Sequence, residues 1–187
     1  MPDTYNDISS GSSNDKKQPS REGIKPAVNA SPNKPQDMQL LFMAGILGAV
    51  MGIVFIVIQP FFGMDTLTSR HAAAYQKLGN WNGTAAIAIA WVAHLAVSVF
   101  YGLLSGIVIL KTMRLELVAL FTLAFSWLTT VIAPPANAAI VQLVSFQNIQ
   151  FSQLPSVNFS LDVKFVLHLV FFAAISATLY VYGKKSG

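Results

Sequence analysis

The residues best suited to chemistry in this 187-residue chain are two histidines, His94 and His168, each set inside a long apolar run. An imidazole in hydrocarbon needs a partner, because an unsatisfied polar group there costs several kcal/mol. Counted inward from Ala86 and from the start of the last apolar run at 1.5 Å per residue, the two rings lie roughly 12 and 8 Å deep. At such similar levels they can meet or share a ligand. Three kinds of chemistry suit the pair. Neutral rings can hydrogen-bond to a backbone carbonyl, to Ser or Thr of a neighbouring helix, or to each other, and this needs no cofactor. Alternatively, both imidazoles can ligate a haem b between two helices, as bundle cores do. A metal or proton site would want a carboxylate or thiolate as well. The chain has no cysteine, and the only acid near either ring is Asp162.

The elements that must position these rings follow from composition. The chain is 53% hydrophobic and 11% charged, against roughly 45 to 50% apolar and 25% charged in soluble domains. Half of its 20 charges precede Met38, which leaves ten for the last 150 residues. A soluble domain of that length would need a charged exterior, so an all-α, polytopic membrane fold is expected, with the lipid bilayer as its main partner. Residues 1–37 are rich in Ser, Asn, Asp, Lys and Pro and cannot bury enough apolar area to offset the entropy of ordering. They are expected to form a disordered cytoplasmic tail ahead of a transmembrane domain over 38–187. The tail does not resemble a secretory signal, since its charge is mixed and the apolar run after it is too long.

A bilayer core about 30 Å thick takes about 20 apolar residues, and four stretches qualify: about 40–62, 84–110, 117–133 and 163–182. Each must be helical, because lipid offers no partner to an open backbone. With four spans, one side of the membrane receives nine Lys and Arg residues and the other only Arg70, Lys77 and Lys164. Cationic loops stay inside, which predicts a multi-pass inner (plasma) membrane protein with both termini cytoplasmic. Tyr180 and Tyr182 beside Lys184 and Lys185 fit an interfacial anchor. On the outer side, Asp65, Leu67, His71, Ala74, Tyr75, Leu78 and Gly79 have the spacing of a capped amphipathic helix with a glycine stop. Residues 147–158 read as a loop dipping into the interface. The third span meets Pro134 and Pro135, so residues 136–144 either re-enter as a broken helix, with Ala136 and Asn137 lining a polar pocket near the outer surface, or extend the span. Proline at 134 takes the amide partner from the Thr130 carbonyl, and Ser126, Thr129 or Asn137 are at hand to replace it.

In the second span Ala86, Ala90, His94, Ser98, Gly102 and Gly106 recur at every fourth position and so share one helical face. Small residues let two helix backbones approach closely. Gly48 and Gly52, reinforced by Ala44, offer a matching face on the first span. This predicts helix packing through Gly48, Gly52, Ala90, Ser98, Gly102 and Gly106, within the chain or between copies. The same small residues oppose a haem, which needs its helices apart.

No span contains Asp or Glu, which argues against a proton-coupled transporter. There is no phosphate loop, nucleophile elbow, zincin-type His-Glu pair or paired carboxylate, so no enzyme is expected. The pI of about 9.4 comes from cations that set orientation, with the tail itself balanced in charge, so no nucleic-acid partner is expected.

The run Trp91–Val92–Ala93–His94–Leu95–Ala96–Val97–Ser98 resembles the His-x-x-x-Ser second helix of the YagU-type family of small bacterial inner-membrane proteins. His168–Leu169–Val170–Phe171–Phe172 is similar to that family's His-Leu-Val-aromatic fourth helix, and Pro134 and Pro135 sit where it tends to break its third. The resemblance covers about residues 40–182. It implies a four-helix inner-membrane protein linked to envelope or acid stress and supplies no catalytic residue. Taken together, the sequence predicts a non-enzymatic accessory or structural component acting through helix packing in a homo-oligomer or larger membrane complex. The alternatives are a haem-b electron-transfer anchor using His94 and His168, or a small oligomeric transporter or channel.

Overall fold

The computed structural model describes residues 34–186, and every regular element among them is a helix. The tail expected over 1–37 lies outside the described residues as far as residue 33. Its last four residues are instead the first turn of a helix. That helix, α1, runs Lys34–Ile58 and is followed by a 3-10 turn, Gln59–Phe62. Then come α2 (Leu67–Gly79), α3 (Gly83–Lys111), α4 (Leu115–Val144) and α5 (Val163–Ser186). With its 3-10 extension α1, and each of α3, α4 and α5, is long and apolar enough to cross a membrane. At 1.5 Å per residue these helices measure roughly 35 to 45 Å, against a hydrocarbon core of about 30 Å. This is a multi-pass, all-helical membrane fold.

Local chemistry sets the ends. Asp37 in the first turn of α1 and Glu116 in that of α4 face the positive end of each helix dipole. The Asn82 carboxamide oxygen accepts the Ala85 N–H at 2.8 Å and starts α3. Asp162 does the same for α5, accepting from the N–H groups of Lys164 and Phe165 at 2.9 and 3.4 Å. Gly63, at φ +68°, closes the 3-10 turn with its N–H on the Pro60 carbonyl. The amphipathic helix expected from Asp65 to Gly79 exists, but both caps move. The Thr66 hydroxyl, not Asp65, accepts the Ser69 N–H, and Asn80 in the left-handed region ends the helix in place of Gly79. Asn tolerates that region well enough to do glycine's work.

The third span does not stop at Ala133: α4 continues through Pro134 and Pro135 to Val144. Two prolines free two carbonyls, those of Thr130 and Val131. The Val131 carbonyl accepts the backbone N–H of Asn158 at 3.0 Å, so the loop between α4 and α5 folds back to replace the lost bond. At the Thr130 carbonyl none of the three expected side chains steps in: the Ser126 hydroxyl donates to the Thr122 carbonyl instead, and the Thr129 and Asn137 side chains make no hydrogen bond to a described residue.

Packing divides along α3. Its inner part, toward Lys111, lies against α1. A Cβ on Gly102 would fall 2.9 Å from the Gly48 Cα and against the Ala44 carbonyl oxygen, and one on Gly106 would fall 2.7 Å from the Ala44 Cβ. Gly48 meets the Ser98 carbonyl and Gly52 the Ser98 side chain in the same way. Only small residues permit this approach. The other part of α3 receives α2, whose fully buried Tyr75 packs with Ala72, Ala86, Ala90 and Val141. The every-fourth stripe therefore serves two partners, and His94 stands where they change over. Helix α5 packs on α1, α3 and α4 and carries the centre of the core, with Phe172, Ile175 and Leu179 fully buried against Leu40, Phe55 and Ile109. Between α3 and α4 there are few contacts. Large apolar side chains such as Phe42, Ile46, Val50 and Ile53 on α1 and Leu120, Leu123 and Trp127 on α4 are exposed, a pattern that suits lipid rather than water.

Candidate functional site

His94 projects from α3 into the junction of α1, α2 and α3. Its Nε2 lies 3.0 Å from the Gly52 carbonyl oxygen. A carbonyl only accepts, so Nε2 carries the proton and Nδ1 is left as an acceptor. The Ser98 hydroxyl donates to the His94 carbonyl one turn back at 2.9 Å and stands 3.5 Å from Nε2. His168, on α5, places Nδ1 3.0 Å from the Thr130 hydroxyl of α4. That hydroxyl donates to the Ser126 carbonyl at 2.8 Å, so Nδ1 of His168 carries a proton and Nε2 is bare. Serine and threonine continue down α4 from this point. The Ser126 hydroxyl donates to the Thr122 carbonyl, and the Thr122 hydroxyl donates at 2.9 Å to Ser176 of α5.

The two rings lie at one level but do not meet. Phe55 of α1 stands between them, its ring centroid 6.2 Å from that of His94 and 5.2 Å from that of His168. A haem bridging the imidazoles would have to take the place of Phe55 and break the His94–Gly52 bond. Among the described residues no three His, Asp or Glu side chains are grouped to hold a metal ion.

A third histidine joins them. His71 lies on the buried face of α2 with Thr68, Ala72 and Tyr75, edge-on to the Tyr75 ring. Burial, then the Arg70 charge, then His94 push its pKa down from 6.5 to about 4, and its Nδ1 is buried without a hydrogen-bond partner.

All three imidazoles line cavities at the α2 end of the bundle, and Asn137 lines each of them, including one of about 320 Å³ beside His71. One of about 90 Å³ lies among Phe55, His94, Thr129, Asn137 and His168. A second, about 20 Å³, is closed by His71, His94 and Asn137, which is room for a single water. A third, about 180 Å³, reaches Arg70, Lys164 and Asn158. The Asn137 carboxamide makes no hydrogen bond to any described residue. In a span this is costly unless something in the cavity supplies partners.

The sequence singled out His94 and His168 and the small-residue face, and these fall together at the head of the α1–α3 seam. It offered Asn137, just after the double proline, as the lining of a polar pocket, but did not find His71, Gln59, Arg70 or Lys164 as wall residues. For His71 a signal was present, since Thr68, His71, Ala72 and Tyr75 have helical i, i+3, i+4, i+7 spacing. The other three are brought in by tertiary packing alone. Comparison with known proteins finds no matching family model, curated protein or solved structure. The site is thus defined by geometry: a largely apolar pocket with a few polar groups and no acid in its wall, inside a helical membrane protein.

Proposed function

We propose that this chain is a non-enzymatic accessory component of a bacterial inner membrane, with both termini cytoplasmic, and that its working part is the pocket around Asn137, open toward the outer face. The observation that carries the proposal is the unpartnered Asn137 carboxamide shared by four adjoining cavities. A merely structural bundle would have packed this position with an apolar side chain, since an unsatisfied amide costs stability. The nine-to-three split of basic residues supports the orientation, and the resemblance to the YagU-type family agrees with the membrane. The glycine face is already occupied inside the chain. Association with a second copy or a larger complex therefore uses lipid-facing surfaces such as the exposed side of α4.

The chain contains no cysteine, which makes the test direct. Asn137→Cys should react with a membrane-impermeant maleimide added to intact cells, whereas Lys185→Cys should react only after permeabilisation. Labelling of Asn137→Cys solely from the cytoplasmic side, or not at all, would overturn the outward-facing pocket. Blue-native electrophoresis from mild detergent tests the accessory role, which predicts a species larger than the monomer.

A further inference from the structure

The wall of the cavity of about 180 Å³ sets hydrogen-bond donors among apolar side chains such as Phe55, Met64 and Leu67, and holds no acid. Arg70 of α2 and Lys164 of α5 stand in its wall, and neither side chain has an ion-pair partner among the described residues. Gln59 is 3% exposed. Its carbonyl oxygen is spent on the Leu67 N–H at 2.8 Å, while its amide NH₂ makes no hydrogen bond to a described residue. Asn158 is similar, with its oxygen accepting from Ser160 N–H and its NH₂ making no hydrogen bond to a described residue. Asn137 adds a third such amide NH₂. The acids nearest in sequence are Asp65, next to Met64, and Asp162, which is committed to the first amides of α5; neither lines the cavity.

Two unpaired cations and three unused amide donors converging on an acid-free pocket have one natural complement, an oxyanion. A cation as guest would be repelled by Arg70 and Lys164, and a neutral apolar guest would leave the amide donors without acceptors. Charge-assisted bonds from guanidinium and ammonium to phosphate are among the stronger polar contacts available. We propose that this pocket binds a phosphate-class oxyanion, either free phosphate or the phosphodiester of a lipid headgroup. His168 lies at the pocket wall with its Nδ1 proton directed to Thr130, so its bare Nε2 is no rival anion. The proposal rests on the outward-facing pocket of the preceding section and names what that pocket takes.

Detergent-purified protein is titrated with inorganic phosphate by calorimetry, and protein extracted from membranes is examined by native mass spectrometry for retained phospholipid. Arg70 and Lys164 are exposed, so Arg70→Gln, Lys164→Gln and the double variant should fold, which their thermal unfolding checks. The double variant should lose roughly tenfold or more in phosphate affinity, or an equivalent share of retained phospholipid, and each single variant less. Phosphate binding without retained lipid identifies a free anion, and the reverse identifies a headgroup. Wild type that binds neither, or a double variant indistinguishable from wild type in both arms, overturns the proposal. If Asn137→Cys is labelled from outside while no anion binds, the pocket stands and only its proposed guest is lost. If that labelling fails, the pocket reading fails first.

Discussion

The two ends of this bundle treat polar groups in opposite ways. Toward Lys111, α1 and α3 touch backbone to backbone through Ala44, Gly48, Gly102 and Gly106, and α5 fills the rest with Phe172, Ile175 and Leu179. Polar side chains there, such as Ser105 and Ser126, close onto carbonyls of their own helices. Toward α2, α3 and α4 stay apart, and the space between them is walled by histidine, asparagine, glutamine and two cations whose hydrogen-bonding capacity is partly unused. Water is absent from hydrocarbon, so the first end must satisfy itself. The second end leaves donors facing its cavities, whose contents must supply the partners. The difference separates what holds the fold from what is free to bind.

The contrast is sharpest under a matched change of side-chain size. Gly102→Leu drives an isobutyl group into the Ala44 carbonyl and the Gly48 Cα, where backbone rather than a flexible side chain must give way. It should cost about 3 kcal/mol or more, the upper part of the range for overpacking. Ala136→Leu enlarges a residue that lines the 90 Å³ cavity and should cost under about 1 kcal/mol, because empty space receives the new atoms. Thermal unfolding of both variants in the same detergent compares them directly. Equal losses would mean that the cavity end is packed as tightly as the seam.

Acid should weaken the α2 end specifically. His71 has a folded pKa near 4 against 6.5 for the free side chain. Below 6.5 the unfolded chain gains a proton that the folded chain refuses, so stability falls as pH drops toward 4 and then levels off. The full loss is about 3 kcal/mol. His71→Gln should remove this part of the slope, measured as unfolding midpoints between about pH 7 and pH 4. An unchanged slope in the variant would show that His71 is not held neutral in the fold.

A smaller effect belongs to the junction between the two ends. His94→Leu keeps bulk at the changeover of the α3 stripe but removes the bond from Nε2 to the Gly52 carbonyl. Side-chain hydrogen bonds between membrane helices average about 0.6 kcal/mol and reach about 1.7, so a loss of about 1 kcal/mol is expected in the same unfolding assay. No change would indicate that packing on Phe55 alone positions the ring.

The halves also differ in how much of them could be read in the sequence. The spans, the small-residue seam and the depth of the two histidines follow from apolar run length and every-fourth spacing, which are local properties. The proline pair leaves re-entry and extension equally readable, and what decides for extension is not local: α4 passes through it while a segment more than 20 residues away supplies an amide to Val131. The pocket was legible only at one point, Asn137 after the double proline. Arg70 and Lys164 read as the minority charges of the outer side. What makes each a wall residue is the meeting of four helices, which no periodicity encodes.

That long-range amide gives the finest test of the comparison. In wild type the Asn158 N–H is bound to a carbonyl that Pro135 has left open. Pro135→Ala returns an N–H to position 135, whose natural partner in a continuous helix is the same Val131 carbonyl. The two donors then compete, and the helical one has the advantage of being held in place by its neighbours. One hydrogen bond replaces another, so global stability should move by less than about 1 kcal/mol. The Asn158 amide, by contrast, should lose its protection, and its hydrogen exchange should quicken while that of the α1–α3 seam stays unchanged. Because Asn158 lines the donor-rich cavity, the same variant should loosen that wall without touching Arg70 or Lys164. If the Asn158 amide remains as slow as before, the loop is anchored by its own packing, and the prolines do not determine where the pocket wall lies.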